Sequence, residues 1–564
     1  MTTLRRFLPV LLAGTVCFAA GIAAAGEQPG FFRDGDVWAF LGDSITHADT
    51  YRRTVQRVFR HFHPGANVRL TQKGKSGALA RASKEQFEKA DKADRPTIVS
   101  LMTGMNNSIN SSWKAGAPMD KHLAGYRREI TAFARTVKDK GITPVLMSPT
   151  LTDESLGWYS MWALDGTAEF LRRCGRIVQE VAKAEGAVYI PVAEEFEAAQ
   201  KAALPEQVFR HDGVHPSAMG QYMIARSLLR RMNFPGRLLA ADAERKLGGP
   251  PPPLPVELKL AERFLHNGDD KIAFVLTGKT EKPLEVTATW SFGDRRGSEK
   301  LKIAGTATWT LKLPAPLDLE MGAADDVVID LTDGKGMGLY LVDLCRTRVV
   351  HLADGKVRGT IEGPAGRPEG VKAVDWTLRV VGGKWLLLEA EVFDSEIRTD
   401  TDWPWAQDGL AVWLDYRPTA RFADVGLDAE VYMVMLHPYK TPRFAVGLRP
   451  WLGRGIYAAG VAGGTKTPTG YRCHLSIADG GKGQMRRFSK WMSSDLSKRD
   501  FVGFSIVHTD CDTGKGGRAV GEYNLLQKTD QAHDKYANTL IILDLKGKLP
   551  GESVINAHLA RLLP

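Results

Sequence analysis

The chain has 564 residues, of which 43% are hydrophobic and 25% charged, and a net charge of +10; it is too long for one core and reads as roughly two to four globular domains. Its basic residues are scattered among acidic ones and form no dense block, which gives no footprint for nucleic acid. Past the N-terminal region no run is long and apolar enough to span a bilayer, so stable membrane insertion is not expected.

Residues 1–25 have the pattern of an export signal. Arg5 and Arg6 supply the positive region, Phe7 to Ala20 the apolar stretch and Ala23-Ala24-Ala25 a small-residue cleavage site. Cys17 follows Val16 rather than a small residue, which argues against lipidation. Cleavage would place the mature chain outside the cell or in the periplasm. Four cysteines then remain, Cys174, Cys345, Cys473 and Cys511. They lack metal-ligand spacing and allow one bridge among the last three.

Within a first domain read as 26–245, residues from about 36 to 235 alternate short apolar runs with amphipathic stretches, the signature of βαβ units around a mainly parallel sheet. The expected strands are Val37 to Leu41, Val68 to Thr71, Thr97 to Met102, Thr143 to Met147 and Ala187 to Val192. Helical periodicity covers Tyr51 to His63, Ser83 to Lys92, Lys121 to Lys140, Thr167 to Glu185 and Ser217 to Met232. Gly248-Gly249 and Pro250 to Pro253 mark a linker over 246–255. Residues 256–316 alternate as a small β-sandwich would, and 317–564 are long enough for a second one.

Four stretches fall where the chain leaves a strand or enters the last helix. Gly42-Asp43-Ser44-Ile45 delivers a serine at a strand-to-helix turn, which exposes its hydroxyl at the carboxyl edge of a sheet. Gly74-Lys75-Ser76-Gly77 offers close backbone approach and an N–H donor; Gly104-Met105-Asn106-Asn107 offers an amide. Asp212-Gly213-Val214-His215-Pro216 sets a carboxylate three residues before a histidine, within reach of its Nδ1. His47, His61, His63 and His211 lack such a partner and are read as surface or packing residues.

With these four blocks in order, about 200 residues resemble the SGNH, or GDSL-type, hydrolase superfamily. The resemblance implies a three-layer, flavodoxin-like α/β domain with a mainly parallel five-stranded sheet, followed here by the β-sandwich domains. It implies Ser44 as nucleophile, His215 as general base and Asp212 as its orienting carboxylate, with Ser44, Gly77 and Asn106 as oxyanion-hole donors. No cofactor or metal is implied. One position departs from the family pattern: Asn107 stands where an Asp is common, which puts the local loop network in question.

Two longer connections are expected to shape the substrate pocket, one with Trp113 and the other with Trp158, Tyr159 and Trp162. Trp385 to Asp394, Trp403-Pro404-Trp405-Ala406-Gln407-Asp408, Ala411 to Asp415 and Gly503 to Asp510 resemble carbohydrate-binding module family 9-like domains. That resemblance implies sugar contacts from tryptophans among Trp403, Trp405, Trp451 and Trp491; Asp394, Asp408 and Asp415 are read as turn or strand-end residues rather than calcium ligands. Together these features lead to an exported serine esterase acting on an acylated carbohydrate. A lipid esterase or thioesterase with the same triad and a non-catalytic glycan-binding protein are the alternatives.

Overall fold

The structure, a computed structural model, describes residues 31–109, 118–154, 164–202, 208–209, 213–232, 252–321, 324–352, 355–362, 372–382, 385–394, 397, 408–415, 431–439, 445–449, 460–477, 496, 499–510, 521–524, 541–549 and 551–563. The export signal, Asp212, His211, Trp113, Trp158, Tyr159, Trp162, Trp403, Trp405, Trp451, Trp491 and residues 246–251 of the linker lie outside the described residues. Among the described residues no helix is long and apolar enough to cross a membrane.

The N-terminal domain is built on β1 (Val37–Gly42), β2 (Arg69–Gln72), β3 (Ile98–Met102), β4 (Thr143–Met147) and β5 (Val188–Ile190). They pair in parallel in the order β2-β1-β3-β4-β5, so all five carboxyl ends share one edge. Between them run α1 (Ser44–His47), α2 (Thr50–Phe62), α3 (Ser83–Asp94), α4 (Met105–Ile109), α5 (Met119–Asp139), α6 (Thr167–Glu185), α7 (Val192–Lys201) and α8 (Ala218–Arg231). Strand alternation divides the core in two. Trp38 and Phe40 of β1 join α2, α7 and α8 on one face, while Ala39 and Leu41 join α3, α5 and α6 on the other. Each fully buried side chain of this size contributes about 1.5–3 kcal/mol of transfer free energy. This is the three-layer α/β architecture expected from the periodicity.

Three helices went unread in the sequence: the short α1 and α4, and the longer α7. The strand expected to run through Val192 stops at Ile190, and α7 begins at Val192. Val192, Ala193, Phe196 and Ala199 lie buried along one face of it, a spacing that is helical rather than extended.

The rest of the chain is β-rich. The first sandwich sets β6 (Val256–Leu260), β8 (Lys271–Gly278) and β11 (Thr306–Lys312) against β9 (Leu284–Phe292), β10 (Arg295–Ile303), β12 (Ala324–Thr332), β13 (Met337–His351) and the last strand, β25 (Ser553–Leu563); β7 (Phe264–Leu265) pairs with β25. The second sets the sheet β14-β15-β16-β21-β20 against β24-β22-β17-β18-β19. These strands are β14 (Lys356–Glu362), β15 (Lys372–Val381), β16 (Trp385–Phe393), β17 (Gly409–Asp415), β18 (Val431–Tyr439), β19 (Ala445–Arg449), β20 (Gly460–Thr467), β21 (Gly470–Ile477), β22 (Phe501–Asp510) and β24 (Ile541–Asp544), with β23 (Gly521–Asn524) beside β22.

The strand pairing crosses residue 316. β9 pairs with β12, and β13 pairs with both β12 and β25, so the first sandwich draws strands from both segments distinguished in the sequence. β13 then continues to pair with β24 at Val349–His351, joining the two sandwiches in one sheet.

The outer face of the first sandwich is covered by the N-terminal domain. Val328 of β12, Leu339 and Leu341 of β13 and Ala560 and Leu562 of β25 belong to the same buried cluster as α2 and α8. Polar groups cross the junction too: His61 meets Ser291 and Asp330, Arg57 meets Asp326, and the Tyr222 hydroxyl donates to Asp343.

Candidate active site

Ser44 opens α1 directly after β1. Asp43 caps that helix, its carboxylate accepting from the Ile45 N–H at 3.0 Å. Gly42 has no substitute here, because a Cβ would lie 2.3 Å from Thr46 Oγ1 and 2.4 Å from the Met102 carbonyl oxygen. The turn is therefore packed tightly against the end of the neighbouring strand.

His215 reaches the same edge from a short loop held on three sides. Asp153 N–H donates to Gly213 O at 2.9 Å, Ser217 N–H donates to Val208 O at 2.9 Å, and Phe209 and Pro216 form a β-bridge. Ser217 then caps α8, its hydroxyl accepting from Gly220 N–H at 3.3 Å. The result is a separation of 2.9 Å between Ser44 Oγ and His215 Nε2. That is hydrogen-bond distance, the separation that activation of a serine by a histidine base would require.

The loop after β2 is tied to this turn and to α4. Lys75 N–H donates to Gly42 O at 3.0 Å, and Ser76 Oγ lies 3.0 Å from His47 Nδ1. Gly77 has φ +77°, a conformation that favours glycine. Asn106 is buried, and its amide donates to Ala78 O at 3.1 Å. Asn107 Oδ1 accepts from Ala80 N–H at 3.0 Å. An amide oxygen thus does what an Asp oxygen could do at this position, and the loop stays anchored without the charge.

Electrostatically the notable group is Asp43. Burial pushes its carboxyl up from 3.8 to about 6, against the opposing pull of the Ile45 N–H and of the nearby His215. Its negative form is therefore expensive, yet lies within electrostatic range of the His215 ring.

The structure thus brings together Ser44, His215, the Gly77 loop and Asn106. Asp212 and the aromatic residues expected to contact substrate lie outside the described residues. His47, read from the sequence as a surface or packing residue, is exposed, and its Nδ1 faces Ser76 Oγ one helical turn after Ser44.

A family model described as GDSL-like Lipase/Acylhydrolase matches residues 40–222. An acetylxylan esterase from Geobacillus stearothermophilus is 24% identical over 217 residues, covering 36% of this chain and 95% of that protein. A crystal structure of an acetylxylan esterase from the same organism is 23% identical and covers 38% of this chain and 100% of its own, with a TM-score of 0.30. An α/β hydrolase from the metagenome of Lake Arreo, Spain, is 19% identical, covering 37% and 99%, with a TM-score of 0.32. Over residues 40–222 this chain therefore carries an esterase/acylhydrolase domain of the GDSL-like family, set on a β-rich remainder.

Proposed function

We propose that this protein is an exported serine esterase that removes acetyl groups from a polysaccharide or glycan. The observation that carries this is the 2.9 Å contact between Ser44 Oγ and His215 Nε2 at the carboxyl edge of a parallel sheet. The curated relative named acetylxylan esterase supports the choice of acyl group and polymer. The family 9-like resemblance supports a role for the β-rich region in holding the carbohydrate.

In the proposed mechanism His215 takes the Ser44 proton as Oγ attacks the ester carbonyl. The oxyanion accepts hydrogen bonds from the Ser44 and Gly77 N–H groups and from the Asn106 amide. His215, oriented by Asp212, returns the proton to the leaving alcohol; water then attacks the acyl-serine and frees the acid. No metal or cofactor enters any step.

The test is acetate release by the full chain across a panel of acetylated polysaccharides, beside 4-nitrophenyl esters of increasing chain length. Deacetylation predicts a steep fall in turnover beyond acetyl. Ser44→Ala should reduce turnover by about ten-thousandfold or more with the fold intact. Wild-type rates in that variant would rule out the serine mechanism. No acetate release, with preference for long acyl chains, would replace this reading by a lipid esterase.

A further inference from the structure

The second sandwich carries a cleft of about 870 Å³ on one sheet, a size within the range of ligand sites, about 300–1,000 Å³. It spans all five strands of β14-β15-β16-β21-β20. Strand spacing gives it a length of roughly 19 Å.

Register shows how its walls are made. One row of side chains crosses the sheet as Thr360, Asp375, Glu391, Arg472 and Thr465, each the cross-strand partner of the next. The adjacent row runs Arg358, Thr377, Glu389, His474 and Gly463. The intervening Trp376, Ala390 and Cys473 point the other way, into the core. Because Gly463 has no side chain, the His474 ring lies across it; a Cβ there would come within 2.6 Å of the ring.

This face is polar and balanced. Arg379 pairs with Glu389 at 2.8 Å, Arg472 with Glu391 at 3.1 Å, and Thr360 Oγ1 donates to Asp375 at 2.7 Å. Exposed ion pairs contribute about 0–1 kcal/mol each, so this charged grid adds little to the stability of the fold. What the grid offers is alternating donors and acceptors on planar groups, with each sign paired by its neighbour.

A polyanion would meet Asp375, Glu389 and Glu391; a polycation would meet Arg358, Arg379 and Arg472. A protein interface would present an apolar, aromatic centre, and the outward rows have none. A sugar hydroxyl is both donor and acceptor and uncharged, and it suits such a surface. We infer that the outer face of the β14-β15-β16-β21-β20 sheet binds a strand of neutral, hydroxyl-rich polysaccharide. The inference builds on the carbohydrate esterase reading above and gives the polymer a holding site in a different domain from Ser44.

The experiment uses the full chain with Ser44→Ala, so that the polymer is not altered during the measurement. Affinity electrophoresis is run through gels containing neutral acetylated xylan, with polygalacturonate as the anionic control. Retardation by the neutral polymer is expected to persist at about 0.5 M salt, where simple ion exchange is screened. Thr377→Trp, which fills the cleft, and His474→Ala should each weaken it about tenfold or more, a loss of about 1.4 kcal/mol or greater. The same two substitutions in the Ser44 chain should leave 4-nitrophenyl acetate hydrolysis unchanged. Absence of retardation, retardation of both variants equal to that of the Ser44→Ala chain alone, or binding only to the anionic polymer would overturn the proposal. Loss of the catalytic reading would instead appear as a Ser44 chain inert toward the small ester, whatever the gels show.

Discussion

His61 of α2 stands with Nε2 2.6 Å from Asp330 Oδ1 of β12 and Nδ1 2.7 Å from Ser291 Oγ of β9, all three buried at the junction of the two domains. Both ring nitrogens thus have a partner, one the carboxylate and the other the hydroxyl. Removing one partner leaves a buried polar group without compensation. Asp330→Ala should lower stability by about 3 kcal/mol, read as a drop in the thermal or urea midpoint. A midpoint within error of wild type would show that the junction does not depend on this contact. A chain ending before β6 should fare worse, because α2 and α8 would lose the apolar cover of Leu339, Leu341, Ala560 and Leu562. It is expected to aggregate or to melt well below the full chain.

The pH dependence centres on Asp43. Its carboxyl rises from 3.8 in the unfolded chain to about 6 in the fold, chiefly through burial. The folded state therefore binds this proton more tightly, and the associated stability is present below 3.8 and is lost as pH rises through 6. The loss is on the order of 3 kcal/mol. Asn still accepts from the Ile45 N–H, so Asp43→Asn should flatten the dependence between pH 4 and 6.5 and raise stability at neutral pH. Turnover should fall at the same time, since a charge near His215 is removed. Identical pH–stability curves for the two proteins would contradict this account.

The amides of α4 divide their work. Asn106→Ala should cut turnover about a hundredfold or more, the cost of one oxyanion donor. Asn107→Asp keeps an acceptor for the Ala80 N–H and should stay within about threefold of wild type, whereas Asn107→Ala releases the loop and should not. Steady-state kinetics on a small acetate ester separates the three.

His47 is expected to act as a positioning residue for the Gly77 loop through Ser76. His47→Ala should lower kcat about tenfold with little change in KM, because the donor it steadies acts mainly on the transition state. A rise in KM at constant kcat would assign it to ground-state binding instead.

The catalytic domain was legible because its signals are local. β1 and β4 follow from runs of apolar residues, α6 from its 3.6-residue period, and the four blocks from short motifs at strand ends. What was hidden depends on residues far apart in the chain. Nothing near Val328 says that the alternate residues of β12 face a second domain rather than water, and nothing near His61 names Asp330 as its partner. The same holds for the β-strands: the pattern at Leu284 to Trp290 identifies β9, but its pairing with β12 across residue 316 is a tertiary choice. His47 fell between the two cases, since its contact is local in space but lies 29 residues away in sequence.

The seating of β25 beside β13 also sets an order of events during synthesis. Residues 553–563 supply Ala560 and Leu562 to the surface on which α8 rests, so the helix that follows His215 cannot find its full support until more than 300 residues after it have been made. Such late, long-range closure is slow and leaves an apolar face uncovered in the meantime. Nascent chains of this protein should therefore remain inactive and in need of shielding until the last strand arrives, and the enzyme would switch on as a whole rather than domain by domain.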